Sequence, residues 1–131
     1  MSAFLKPYLT ALVVMGALDA LWLGGLARDF YRQEIGPQMA DSVRWSAAAV
    51  FYFGYPAALV ALALYPTGQP LAMQVARAAL VGLTAYGVYD MSNLATLRQW
   101  PLRLALVDTA WGCFASAVAG AAAAWVAQRF N

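Results

Sequence analysis

The sequence predicts an all-α integral membrane protein, an antiparallel bundle of four transmembrane helices forming a single domain over residues 1–131. Two compositional shifts and one pattern carry this expectation. Of 131 residues, 63% are hydrophobic and only 11% are charged, against roughly 45–50% and about 25% in soluble domains. Four long apolar stretches follow one another, each near the roughly 20 residues that a bilayer core of about 30 Å demands of a helix. No alternating apolar–polar segments separated by turns occur, so a β-barrel is not expected.

The first predicted helix covers about residues 8–26. Lys6, an apolar run and small residues give it some likeness to a signal peptide, but the run is long and three more spans follow, so a retained helix is expected. The second helix, about 45–64, contains no charge. The third, about 74–96, has Arg77 near its start, where the side chain can reach the headgroups, and Asp90 near its end. The fourth covers about 104–126. Residues 27–44 form a connection with Arg28, Asp29, Arg32, Glu34, Asp41 and Arg44, and with Gly36-Pro37 as a turn signal. Tyr65-Pro66-Thr67-Gly68-Gln69-Pro70 reads as a tight turn, and Arg98 to Arg103 bracket Trp100-Pro101. Short connections imply neighbouring helices in opposite directions.

The net charge of +2 does not suggest nucleic-acid binding. Basic residues stand singly between apolar runs, where they suit lipid headgroups and orientation signals. The side bearing the first and third connections carries Arg28, Arg32, Arg44, Arg98 and Arg103, and the opposite side Lys6, Arg77 and Arg129. This five-to-three excess places both termini on the non-cytoplasmic side, although Lys6 argues the other way.

Histidine is absent, which removes the usual ligand of haem and catalytic zinc and the usual base near neutral pH. Acid–base chemistry would fall to carboxylates, tyrosines or the single Cys113, which reads as a small buried hydrophobe. No cofactor or resident metal is expected.

The informative residues are polar ones inside the spans. Asp19 lies late in the first helix, Asp90 and Asn93 late in the third, and Asp108 early in the fourth. In an antiparallel bundle these positions share one depth near one face. An aspartate at a helix centre costs on the order of 2.5–3.5 kcal/mol, less near the interface, so all three should point into the bundle. Asp19 and Trp22 are three residues apart, as are Asp108 and Trp111, so each pair shares a helix face. The middle helices carry Tyr52/Tyr55 and Tyr86/Tyr89 at the same spacing. The order D-x-x-W, Y-x-x-Y, Y-x-x-Y, D-x-x-W is a palindrome. Small-residue stripes mark close packing: Asp108, Gly112, Ser116, Gly120 and Ala124; Ala78, Gly82, Tyr86 and Asp90; Gly16, Ala20 and Gly24. Tyr8, Tyr31, Trp45, Tyr65, Trp100 and Trp125 lie near span ends and read as an interfacial belt.

The segments Asp19-Ala20-Leu21-Trp22-Leu23-Gly24, Phe51-Tyr52, Tyr86-Gly87-Val88-Tyr89-Asp90-Met91-Ser92-Asn93-Leu94-Ala95-Thr96 and Asp108-Thr109-Ala110-Trp111-Gly112 resemble the DUF2177 family of bacterial predicted membrane proteins. The resemblance spans nearly the whole chain, and the third-helix segment is its most specific part. It implies a small bacterial inner-membrane protein and implies no activity and no catalytic residue.

Two readings of the aspartates stay open. They fix the bundle by hydrogen bonds to tyrosine, tryptophan and Asn93, or they form a site for a proton, a cation or a polar head. The site set is Asp19, Trp22, Tyr52, Tyr86, Asp90, Asn93, Asp108 and Trp111. The leading functional expectation is binding or carriage of a lipophilic small molecule. The alternatives are an accessory subunit of a larger membrane complex, an enzyme acting on a lipid or isoprenoid, and a proton-coupled transporter. Expected partners are membrane lipids, a lipophilic ligand, and a membrane protein or a second copy of the chain.

Overall fold

The computed structural model describes residues 2–130. Helix α1 (Ser2–Leu21) continues into one π turn (Trp22–Leu26). A short helix α2 (Arg28–Ile35) and a 3₁₀ turn (Gly36–Gln38) follow, then α3 (Trp45–Ala63), α4 (Leu71–Thr96) and α5 (Leu102–Phe130). No strand forms among the described residues. Four segments are long and apolar enough to cross a membrane: Ala3–Leu26, Trp45–Ala63, Leu71–Thr96 and Leu102–Phe130. Val13, Leu26, Val50, Leu62, Leu80 and Val88 all face outward. An apolar surface of this extent on helices long enough to cross a membrane fits a face covered by lipid or by a neighbouring membrane protein.

The spans match the sequence expectation in number, and most extend beyond it. α1 starts at Ser2 and runs through Pro7, because proline's fixed φ is helical and few hydrogen bonds are lost near a helix start. α5 reaches Phe130, so its last turn carries Arg129, whose guanidinium lies over the Trp125 ring, 5.3 Å from its centre. The larger difference is α2. The connection over 27–44 is not simply a loop, since Ala27, Tyr31 and Ile35 form one apolar edge at helical spacing and pack with Leu104 and Trp100. Gly36 ends α2 at φ +50°, a conformation that glycine adopts without steric cost, and Pro37 opens the 3₁₀ turn.

α1 packs against α3 and α5, and α4 packs against the same two, so the spans form a ring. The α4–α5 contact is the most extensive. Side chains built at its glycines define the register. A Cβ on Gly82 would overlap Ser116 and the Gly112 carbonyl, one on Gly112 would enter the Tyr86 ring, and one on Gly120 would overlap Ala78. Gln128 donates to Gln74 at 2.8 Å and Thr109 to Asp90 at 3.1 Å. Residue numbers fall along α5 as they rise along α4, so these two helices run in opposite directions. The same opposed stepping relates α1 to α5 (Lys6 to Phe130, Asp19 to Trp111) and α3 to α4 (Leu64 to Gln74, Tyr55 to Tyr86).

Two of the small-residue stripes therefore interlock, and the third does not. A Cβ at Gly16 or Gly24 meets nothing within 4 Å, so the α1 stripe is not a packed face. The centre of the bundle is otherwise small and aliphatic, with Ala11, Leu59, Val60, Ala78, Ala115 and Ala119 fully buried.

This packing makes a specific prediction. Gly82→Ala should force backbone apart, because a backbone carbonyl is the nearest obstacle, at a cost of about 1–3 kcal/mol. Gly16→Ala should be neutral or slightly stabilising. Thermal midpoints in the same lipid nanodisc check both, and equal behaviour of the two variants would contradict the assigned register.

Candidate functional site

The polar residues of the spans gather at the end of the bundle closed by α2. The π turn brings this about. The Ala27 amide donates to the Trp22 carbonyl at 2.8 Å, one residue wider than an α-helical bond, and the chain then reverses into α2. Tyr31 is thereby carried back under the bundle, nine residues after Trp22, and is only 9% exposed.

Its hydroxyl is a junction. Trp22 Nε1 donates to Tyr31 Oη at 3.1 Å, and Tyr31 Oη donates to Asp108 Oδ1 at 2.7 Å. Burial pushes the Tyr31 phenol above the ordinary tyrosine range, so the hydroxyl keeps its proton and remains a donor. On the other side, Trp111 Nε1 donates to Asp19 Oδ1 at 3.2 Å. The Trp22 and Trp111 rings stack, with centroids 4.3 Å apart and planes 5° from parallel. The D-x-x-W palindrome thus has a physical counterpart: the tryptophan of each outer helix serves the aspartate of the other, directly in one case and through Tyr31 in the other. The inner tyrosines of the two Y-x-x-Y pairs also meet, Tyr55 edge-on to Tyr86 at 6.0 Å. Tyr55 Oη and Ser116 Oγ are 2.6 Å apart.

A cavity of about 520 Å³ opens beside this network, reached from α1, α2, α3, α4 and α5. Of the residues expected to form a site, Asp19, Tyr52, Tyr86, Asp108 and Trp111 line it. Trp22 supports the wall from behind, stacked on Trp111. Asp90 is fully buried between α4 and α5 and is not on the wall. Its Oδ2 accepts from Thr109, while Oδ1 has no hydrogen-bond partner; the nearby Trp100 Nε1 is likewise buried and unpaired. Asn93 lies a turn further along α4, off the cavity, and its carbonyl accepts from the Leu97 amide at the helix end. A second, more polar groove of about 370 Å³ lies outside the bundle, between α2 and the α4–α5 connection, and holds none of the expected site residues.

Among the described residues, no three aspartate, glutamate or cysteine side chains gather closely enough to hold a metal ion. Asp19 and Asp108 face the cavity and Asp90 lies behind its wall, so the three aspartates do not form one ligand set.

Tyr31 is the residue that sequence reasoning misassigned. Expected in an interfacial belt, it is instead the centre of the network, and Tyr55 and Tyr89 join the wall as well. The available signal was the Ala27/Tyr31/Ile35 spacing, which marks an amphipathic helix in a segment otherwise read as a connection.

Because the Tyr31 hydroxyl joins two half-buried groups, Tyr31→Phe should cost about 1–2 kcal/mol. Trp22→Phe should cost a similar amount. The double variant should cost less than the sum, since both changes break one chain of bonds. Unfolding in nanodiscs, read as a double-mutant cycle, checks this; strict additivity would show that the two groups act independently.

A family model described as a predicted membrane protein, DUF2177, matches residues 4–125. No curated protein and no solved structure matches the chain. The matched stretch covers all four spans nearly in full, together with the π turn, α2 and every residue of the polar network. The chain belongs to the DUF2177 family of predicted membrane proteins.

Proposed function

We propose that the protein binds, and in doing so carries or holds, a lipophilic small molecule within a bacterial inner membrane. The observation that supports this is the cavity of about 520 Å³, which lies within the roughly 300–1,000 Å³ range of ligand pockets. Its wall is mostly apolar and aromatic, with Asp19 and Asp108 as its carboxyl groups. Purely structural carboxylates would be expected inside a helix contact, as Asp90 is. Asp19 and Asp108 instead reach a space large enough for a ligand; Asp19 accepts a hydrogen bond from Trp111, and Asp108 accepts one from Tyr31 and lies beside the Asp90 carboxyl. A carboxylate has about four acceptor positions, so both keep capacity for a bound head.

The same end carries Arg28, Arg32, Arg44, Arg98 and Arg103, and we place it on the cytoplasmic side, with both termini opposite. A cysteine introduced at Gln33 in a Cys113→Ser background should resist an impermeant thiol reagent in intact cells and react after permeabilisation. Labelling in intact cells would reverse this orientation.

Mass spectrometry of the protein extracted in native lipid particles tests the binding itself. One lipophilic species should copurify at near-stoichiometric amount, and Asp19→Asn should lower its retention by about tenfold, the effect of about 1.4 kcal/mol. Recovery of reproducible protein partners with no enriched small molecule would instead favour a role as a subunit of a larger membrane complex.

A further inference from the structure

We propose that the ligand of this cavity is a lipophilic cation, a positively charged centre such as an ammonium or phosphonium carried on an apolar body. The inference rests on the reading of the cavity as a binding site and adds the sign of the ligand's charge.

Three features of the wall point the same way. The first is its charge. Asp19 and Asp108 both line the cavity, and no lysine or arginine does. Arg103 pairs with Glu34 at 3.5 Å and lies over Phe30, Arg77 donates to the Tyr65 carbonyl, Lys6 donates to the Phe130 carbonyl, and Arg28, Arg32, Arg44, Arg98 and Arg129 do not line the cavity. An anionic head, such as a phosphate, would meet two carboxylates and no counter-charge at low dielectric. A cationic head would supply the charge the wall lacks.

The second feature is the aromatic wall. Phe51, Tyr52, Tyr55, Tyr86, Tyr89 and Trp111 all contribute. Ring faces carry negative potential and attract cations, most strongly where water is excluded. Carboxylates combined with this many rings form a surface suited to a weakly hydrated cation, and an uncharged sterol-like or hydrocarbon ligand would need only the rings.

The third feature is the balance of donors and acceptors. The Trp22, Trp111 and Tyr31 donors are turned inward on the network itself. Pro56, on the wall, has no amide hydrogen and so adds no backbone donor there. The donors that remain on the cavity wall are neutral tyrosine hydroxyls, which give an anionic head no counter-charge.

Tetraphenylphosphonium and tetraphenylborate provide the test, because they match in size and shape and differ in charge; pyrene serves as the neutral probe. Binding is measured by calorimetry on the protein in zwitterionic nanodiscs, with empty nanodiscs subtracted. Tetraphenylphosphonium should bind saturably, at least about tenfold more tightly than tetraphenylborate, a difference of about 1.4 kcal/mol. Asp19→Asn and Asp108→Asn keep an acceptor oxygen for Trp111 and Tyr31, and each should abolish that preference while leaving pyrene binding unchanged. Tyr52, exposed and outside the hydrogen-bond network, supplies a variant that does not disturb the fold. Tyr52→Leu should weaken phosphonium binding and Tyr52→Phe should preserve it, since the ring and not the hydroxyl faces the charge. Tight saturable binding of pyrene or tetraphenylborate, equal to that of the phosphonium, would overturn the cation assignment and leave the binding reading standing. No saturable binding of any probe would overturn both.

Discussion

The close approach of α4 and α5 is the constraint on which the remaining geometry depends. Lipid tails are as apolar as leucine, so helices in a membrane gain little from burying aliphatic side chains and hold together through close van der Waals packing and hydrogen bonds. Gly82, Gly112 and Gly120 leave no room for a Cβ. With these positions empty, the two backbones come near enough for Thr109 to reach Asp90 and for the Tyr86 ring to lie flat across Gly112. The position of Tyr86 then sets that of Tyr55, and Tyr55 sets its bond with Ser116. One wall of the cavity is thus a direct consequence of residues that have no side chain.

The other wall depends on a different device. α1 does not pack through its glycines, and its lower end is instead held by polar and aromatic contacts. The π turn at Trp22–Leu26 widens the helix by one residue, turns Trp22 onto Trp111 and lets α2 fold beneath the bundle. π turns inserted in α-helices recur at functional sites because they redirect side chains without breaking the helix. Here the redirected residue completes a relay from Trp22 through Tyr31 to Asp108. α2 is itself fastened by the Arg103–Glu34 pair, by Arg103 over Phe30 and by the Gln38 amide on the Gln99 carbonyl. These are surface interactions of modest strength, so most of its anchoring comes from Tyr31 and Ala27 against Leu104.

The three aspartates, alike in the sequence, occupy different environments. Asp90 is sealed in the α4–α5 contact, where it meets Thr109, Asp108 and Trp100. Asp19 and Asp108 stand at the edge of the cavity, each supported by an indole or phenol donor. That division separates a carboxylate that belongs to the helix contact from two that line the cavity, and it follows from helix rotation rather than from depth in the membrane.

Much of this was legible beforehand. Composition and the length of four apolar runs determined a helical membrane protein, because a bilayer satisfies backbone polar groups only through complete helices or closed barrels. The four-residue repeats of small residues on α4 and α5 determined which faces meet, and the aspartates within those repeats located the polar layer. Family membership was likewise readable from the D-x-x-W and Tyr86–Thr96 segments. The position of Tyr31, the idle glycine face of α1 and the separation of Asp90 from Asp19 and Asp108 were decided only by the tertiary structure. Helical periodicity defines faces within a helix and leaves open how each helix is rotated against its neighbours. A single π turn shifts that rotation by one residue, and a one-residue shift determines whether a polar group faces lipid, another helix or a cavity.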